Sequence, residues 1–274
     1  MDISIDEKRV YDGSDESVPV YVVGEFGVAA IETSDDLVGE FGLKHQCTAR
    51  DAAGRDGRLA VATDEDVLVA TGDGFGALGV GPAVAVGFGT DGDLVAALGD
   101  GRVIRERGDS WTELGEVADA RAVDGDFLAG ASGVYRATSG GLRQVGLNEA
   151  RDVSAAETPL AATDDGLYRL GNGWLAELEG AFRAVSASPA GADQTASAGD
   201  LGEAHAATDA ALFEFAEGAW RTVSLPVEEA IVALDRGSDG AYAMTAEGTF
   251  LLSVGDGWRS QPVGLREAAA VAVP

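Results

Sequence analysis

Apolar residues in this chain come in short runs that break at small polar residues before they are long enough to form a helix of several turns. Residues 160–174, LAATDDGLYRLGNGW, carry the pattern in its fullest form. An apolar run ends at Thr163, and Asp164, Asp165 and Gly166 follow. A second run, LYRL, ends in GNG, and Trp174 opens a third. Asp, Asn and Gly tolerate the backbone angles of tight reversals, so the spacing predicts three antiparallel strands joined by two hairpin turns.

The same phrase recurs in weaker form. With Gly166 as anchor, the comparable positions are Gly27, Asp66, Gly101, Gly133, Ala211 and Gly248, each preceded by a short apolar run such as LAVAT, LVAAL, AHAAT or AYAMT. Eight to ten residues beyond each anchor stands a bulky apolar residue: Leu37, Phe75, Trp111, Leu142, Trp174, Trp220 or Trp258. All 4 tryptophans of the chain fall at this one place in the repeat. A further short run follows in most units: PAVAVGF (82–88), ARAV (120–123), ARDV (150–153), FRAV (182–185) and EAIVAL (229–234), with HQCTA (45–49) as a looser match.

Four-stranded units of 32 to 45 residues, repeated without helices, predict an all-β, seven-bladed β-propeller, one domain over 1–274. Labelling strands a to d from the centre outwards, the first unit begins with strand b at VPVYVV and lacks its a strand. EAAAVAVP (267–274) has a-strand character and nothing after it. The C-terminal strand is therefore expected to complete the first blade. Residues 1–17 are a polar extension in which ISI offers an added edge strand, and SASPAGADQTASAG (186–199) reads as a surface loop. The competing reading makes PVEEAIVALD and GLREAAAVAVP short helices.

Composition changes the picture of the solvent more than that of the fold. There are 47 acidic against 19 basic residues, a formal charge of −28, and only Lys8 and Lys44 are lysines. At molar salt the Debye length falls to roughly 3 Å, so self-repulsion nearly vanishes while the carboxylates hold water. An acidic, lysine-poor, alanine-rich chain is thus expected in the cytoplasm of a salt-accumulating halophile. Nucleic acid is excluded as a general partner: the densest basic stretch, RVIRER at 102–107, carries its own glutamate. Cys47 is the single cysteine, MDISIDEK lacks the order of a secretory signal, and the longest apolar runs are too short to cross a bilayer.

The hairpins GDSW, GNGW, AEGAW and GDGW resemble degenerate Asp-box turns of sialidase-like propellers, lacking the leading Ser or Thr. The whole chain resembles an uncharacterised haloarchaeal β-propeller family. That resemblance implies a fold and a habitat, and it brings no reaction or site residues with it.

Chemistry-bearing residues are sparse. His45, Cys47 and His205 lack a third converging soft ligand, so no metal is expected, and the acidic turns lack the spaced ligands of a calcium loop. No nucleophile motif is present, and no catalytic residue or cofactor is assigned. One pattern stands out. Arg121, Arg151 and Arg183 occupy matching positions at the start of the a strands in ARAV, ARDV and FRAV, with Arg266 slightly earlier in its segment. Strands of that kind line a propeller's central channel, so these guanidinium groups are expected to gather at its mouth, able to grip a carboxylate or phosphate. The competing expectation is that each arginine pairs with a nearby carboxylate such as Asp119, Glu149, Asp152, Glu179 or Glu267. The functional expectation is a non-catalytic binding scaffold for a protein partner or small anionic ligand. The alternative is a hydrolase or lyase acting on a small anion at the channel.

Overall fold

The computed structural model describes residues 17–34, 37–188, 201–255 and 257–274. Within them the chain forms twenty-eight strands, β1–β28, and no helix, hence none long and apolar enough to cross a membrane. The ISI segment and residues 189–199 of the expected loop lie outside the described residues, while the first two residues of that loop, Ser186 and Ala187, belong to the strand Phe182–Ala187.

The strands form seven antiparallel four-stranded sheets. Blade 1 contains β1 (Val18–Gly24), β2 (Gly27–Ser34) and β3 (Leu37–His45). Its inner strand is β28 (Ala268–Ala272), which pairs antiparallel with β1. The C-terminal strand therefore closes the ring, as the sequence predicted. Blades 2 to 7 begin with inner strands β4 (Ala49–Arg55), β8 (Ala83–Phe88), β12 (Ala120–Asp124), β16 (Ala150–Ser154), β20 (Phe182–Ala187) and β24 (Ile231–Arg236). The two segments open to a helical reading are β24 and β28. Their Ala, Val, Ile and Leu alternate across an inner strand instead of winding into a helix face.

Each second strand ends and each third strand begins at the anchors. In three blades the reversal is closed by one hydroxyl. Thr163 Oγ1 accepts the Asp165 and Gly166 N–H groups and donates to the Gly166 carbonyl. Thr63 and Thr208 do the same in their own blades. This side-chain-to-backbone turn closes the reversal with few residues.

No blade has a core of its own. The seven apolar clusters each straddle one junction between neighbouring blades. Phe182, Leu160 and Leu167 meet at the junction of blades 5 and 6, and Tyr242, Phe250 and Ile31 at that of blades 7 and 1. Each fully buried side chain of this size contributes about 1.5–3 kcal/mol. The tryptophans seal the outer rim of these junctions, every one against the preceding blade. Trp174 Nε1 donates to the Val145 carbonyl at 3.0 Å and Trp220 Nε1 to Glu177 at 3.2 Å. Their shared place in the repeat follows from this shared task.

The sequence reading placed the inner strand of blade 2 at HQCTA, and here the structure corrects it. His45 ends β3, Gln46–Thr48 is a connector, and the inner strand is ARDAAGR, Ala49–Arg55. Its charged and glycine residues hid it, because the inner face of this strand meets the channel instead of an apolar core.

Candidate functional site

The pairing register of the inner strands repeats one irregularity seven times. In β4, Ala49 pairs with Thr63 and Asp51 with Ala62, leaving Arg50 as an extra, unpaired residue. The same β-bulge falls at Val84, Arg121, Arg151, Arg183, Val232 and Ala269. A bulge bends the strand and re-aims the side chain of its extra residue. Seven equivalent bulges therefore present seven equivalent side chains at the end of the ring where the inner strands start, and four of these are arginines.

A cavity of about 320 Å³ runs between the inner strands, and Arg50, Arg121, Arg151 and Arg183 all line it. Three of the four arginines singled out in the sequence are thus brought together. Arg266 is not among the lining residues; it lies three positions before the bulge residue Ala269 and faces Glu247 at 3.8 Å. Arg50 takes the fourth place. It was hidden by the misplaced strand, and the signal that reveals it is the register of the bulge.

Each bulge arginine has an acidic companion on the same face. Arg121 Nη2 meets Glu149 at 3.0 Å, and its Nη1 donates to the Ala150 carbonyl. Arg151 grips Asp164 through Nε and Nη2, at 2.5 and 3.0 Å. Arg183 pairs with Asp209, and Arg50 with Glu25 at 3.6 Å. Asp164 and Asp209 belong to the Thr-closed turns, so the repeat that reverses the chain also supplies carboxylates to the mouth. Of the companions expected from sequence, Glu149 is the one that pairs. It holds a left-handed φ of 48°, a costly conformation for a non-glycine residue. None of these contacts uses all five N–H donors of a guanidinium, and the arginines remain 28 % to 48 % exposed.

Deeper in the channel lies a set of residues the sequence did not reveal. Asp51 Oδ2 accepts the N–H of Val86, from the next blade, while Oδ1 accepts that of Ala52. Asp152 repeats this with Val185 and Val153. One step further along, Asp124 accepts from Ala155, and Asp235 from Val273 and Arg236. Ser154 accepts from Ala187, and Ser186 donates to Asp235. These side chains stitch the inner strand of one blade to the next. The two remaining junctions have glycine instead. A Cβ at Gly54 would stand 2.1 Å from the Val273 carbonyl oxygen, and one at Gly87 would stand 2.5 Å from that of Val123. The backbones there approach directly and leave no room for a bridging side chain.

Enclosure by protein pushes all four carboxyls up, against the backbone N–H groups that favour the anion. Repulsion from neighbouring aspartates adds to the rise at Asp51, Asp152 and Asp235. Asp152 and Asp235 are raised to about 7. The abundance of carboxylates in so acidic a chain concealed these four from any pattern search.

His205 is buried edge-on against Trp258, with Arg236 Nη1 2.9 Å from its Nδ1. Burial and that guanidinium lower its pKa to about 3, so the ring is neutral. His45 packs beside Phe75, and no group of three His, Cys, Asp or Glu among the described residues is arranged to hold a metal ion.

With this geometry in hand, the relatives can be placed. A family model described as Beta-prop_HVO_0234-like, beta propeller, matches residues 4–274. No curated protein matches the chain. Solved structures similar to it include the WD40 β-propeller domain of Doa1, with 11 % identity, coverage of 82 % of this chain and 86 % of that one, and a TM-score of 0.59. YCF48 bound to D1 peptide gives 12 % identity, 78 % and 82 % coverage, and a TM-score of 0.55. A chain of a nidogen/laminin complex gives 7 % identity, 93 % and 98 % coverage, and a TM-score of 0.60. At these identities the likeness is one of fold.

Proposed function

The chain belongs to the Beta-prop_HVO_0234-like β-propeller family, and on that footing we propose that it is a non-catalytic interaction scaffold whose channel mouth grips an anionic group of its ligand or protein partner. The observation that carries this reading is the placement of Arg50, Arg121, Arg151 and Arg183 at one equivalent bulge around one cavity. Four planar forks facing one space suit a carboxylate or phosphate bound through several N–H donors. Peptide and protein complexes of similar propellers support the class of partner. The alternative of a hydrolase or lyase finds less support, because the channel aspartates are already engaged in joining blades. The working milieu is a salt-rich cytoplasm, so melting temperature should fall on dilution from molar KCl.

Calorimetric titration with inorganic phosphate and with citrate tests the site. The wild-type chain should bind one of them, and the Arg121→Ala, Arg151→Ala, Arg183→Ala triple variant should lose at least tenfold in affinity with unchanged circular dichroism. Equal binding by the two proteins would remove the mouth as the site.

A further inference from the structure

Outer strands expose a row of unpaired N–H and C=O groups, and proteins blunt them by keeping them short or charged. Six outer strands here run from four to seven residues: Gly74–Ala77, Ser110–Glu116, Gly141–Gly146, Trp174–Glu179, Ala219–Val223 and Trp258–Pro262. The seventh, β3, has nine, LVGEFGLKH. It carries three of the four exposed large apolar side chains among the described residues, Leu37, Phe41 and Leu43.

The order of residues on this edge is self-complementary. Phe41, Gly42 and Leu43 pair in regular order with Ile31, Ala30 and Ala29, so Phe41 and Leu43 share one face, and Glu40 and Lys44 flank this stretch on either side, each at a register shift against β2. Glu40 and Lys44 form no ion pair with any described residue, and about 13 Å of extended chain keeps them from each other. We propose that β3 is the contact through which two copies of this chain join, edge to edge and antiparallel, with the two-fold axis at Gly42. Glu40 then stands opposite Lys44 of the second copy, and Lys44 opposite its Glu40. Phe41 meets Leu43, again twice. An isologous contact requires that residues match under the axis, and this register matches Gly39–His45 with the same stretch of the second copy, leaving Leu37 and Val38 outside it. An axis one residue earlier sets Glu40 against Gly42 and Lys44 against Val38. One residue later, Lys44 faces Gly42. Parallel pairing opposes like charges. The joined sheets form one eight-stranded sheet, and both charges gain partners that no described residue of the single chain supplies. The −28 charge on each copy opposes association, so the dimer forms at molar salt and dissociates on dilution.

Sedimentation velocity of the full chain in molar KCl should show a dimer, and Phe41→Asp a monomer. Glu40→Lys and Lys44→Glu should each weaken it about tenfold, since each sets like charges opposite one another twice. Mixing those two variants sets both lysines of one copy opposite both glutamates of the other, and should restore the wild-type affinity. The axis is fixed by cysteine. A Cβ at Gly42 meets nothing within 4 Å, so Gly42→Cys in a Cys47→Ser background leaves the blade intact and should cross-link two copies on mild oxidation. Lys44→Cys in that background should not, its two copies lying about 13 Å apart. A monomeric wild type, failure of the mixed variants to recover, or equal cross-linking at the two positions would overturn the proposal. So would a monomeric full chain that dimerises once residues 1–16 are deleted, which would mean that the chain's own beginning takes the edge.

Discussion

Arginine does two different jobs at the two ends of this ring. At the mouth, where the inner strands start, the bulge arginines are 28 % to 48 % exposed, each with one acidic companion. Towards the opposite end, Arg105 is 4 % exposed and lies between two carboxylates from adjacent blades. It grips Asp93 through Nε and Nη2 at 2.6 and 2.9 Å and faces Asp126 at 3.0 Å, while Arg107 adds a second cation on Asp93. Near it, Arg55 and Arg58 donate to the carbonyls of Gly89 and Gly92 in the next blade. Contacts between blades occur at both ends, through Arg55, Arg58 and Arg105 at one and Arg50 and Arg121 at the other, but a guanidinium closed off from solvent occurs here at Arg105. The residue type is the same; what sets Arg105 apart is its enclosure between two carboxylates, where each arginine of the mouth meets one.

The largest expected effect comes from the buried member. Arg105→Ala leaves Asp126 without its cation and Asp93 with Arg107 alone, and should lower unfolding free energy by about 3–5 kcal/mol in a denaturant titration. The Arg105 guanidinium holds Asp93 below the usual aspartate range. Its contribution is thus present above that range and lost as pH falls through it, and the variant should lack this part of the acid transition.

Next come the glycine junctions. Gly87→Ala forces a Cβ against the Val123 carbonyl and should cost about 1–3 kcal/mol, whereas Gly42→Ala, which meets nothing, should stay within about 0.5 kcal/mol of wild type.

The channel aspartates give a smaller effect with the opposite dependence on pH. Asp152 and Asp235 titrate near 7 when folded and near 3.9 when unfolded, so between those values the folded state holds the extra protons. Stability from these two groups therefore falls as pH rises from about 4 to 7 and is flat above. Asp235→Asn keeps an oxygen for the Val273 N–H and removes the titration. It should reduce the slope of melting temperature across that window, leaving the share of Asp152, and gain about 1–2 kcal/mol at neutral pH, a modest figure because Asn has no second oxygen for the Arg236 N–H and Ser186 hydroxyl.

Smallest of all should be the stability cost of the mouth. Each of Arg121→Ala, Arg151→Ala and Arg183→Ala removes a partly solvated ion pair worth under about 1 kcal/mol. If one of them matched Arg105→Ala in cost, the division between the two ends would fail.

How much of this was legible beforehand differs by element. The turns declared themselves, because a Thr-Asp-Asp-Gly or Asn-Gly sequence has few other conformations, and the tryptophans marked the rim because an indole fits only there. Blade 2 was misread at its inner strand: in ARDAAGR, Asp51 and Gly54 sit where an apolar pattern was sought, the one as a bridge to Val86 and the other as a point of backbone contact with Val273. The bulge has no residue signature. Arg50, Val84 and Ala269 share a place that only pairing register discloses, which is why Arg266 was grouped with the others by residue type and Arg50 was left out.

The closing strand has a consequence for how such a ring is made. β28 joins β1 across almost the whole length of the chain, and Val273 hydrogen-bonds Asp235 while its carbonyl lies against Gly54. Blade 1 cannot receive its fourth strand until Ala268–Ala272 has been made, long after Val18–Gly24. Until then the nascent chain is an incomplete crescent with two bare sheet faces, and that interval is when such a polypeptide most needs a chaperone.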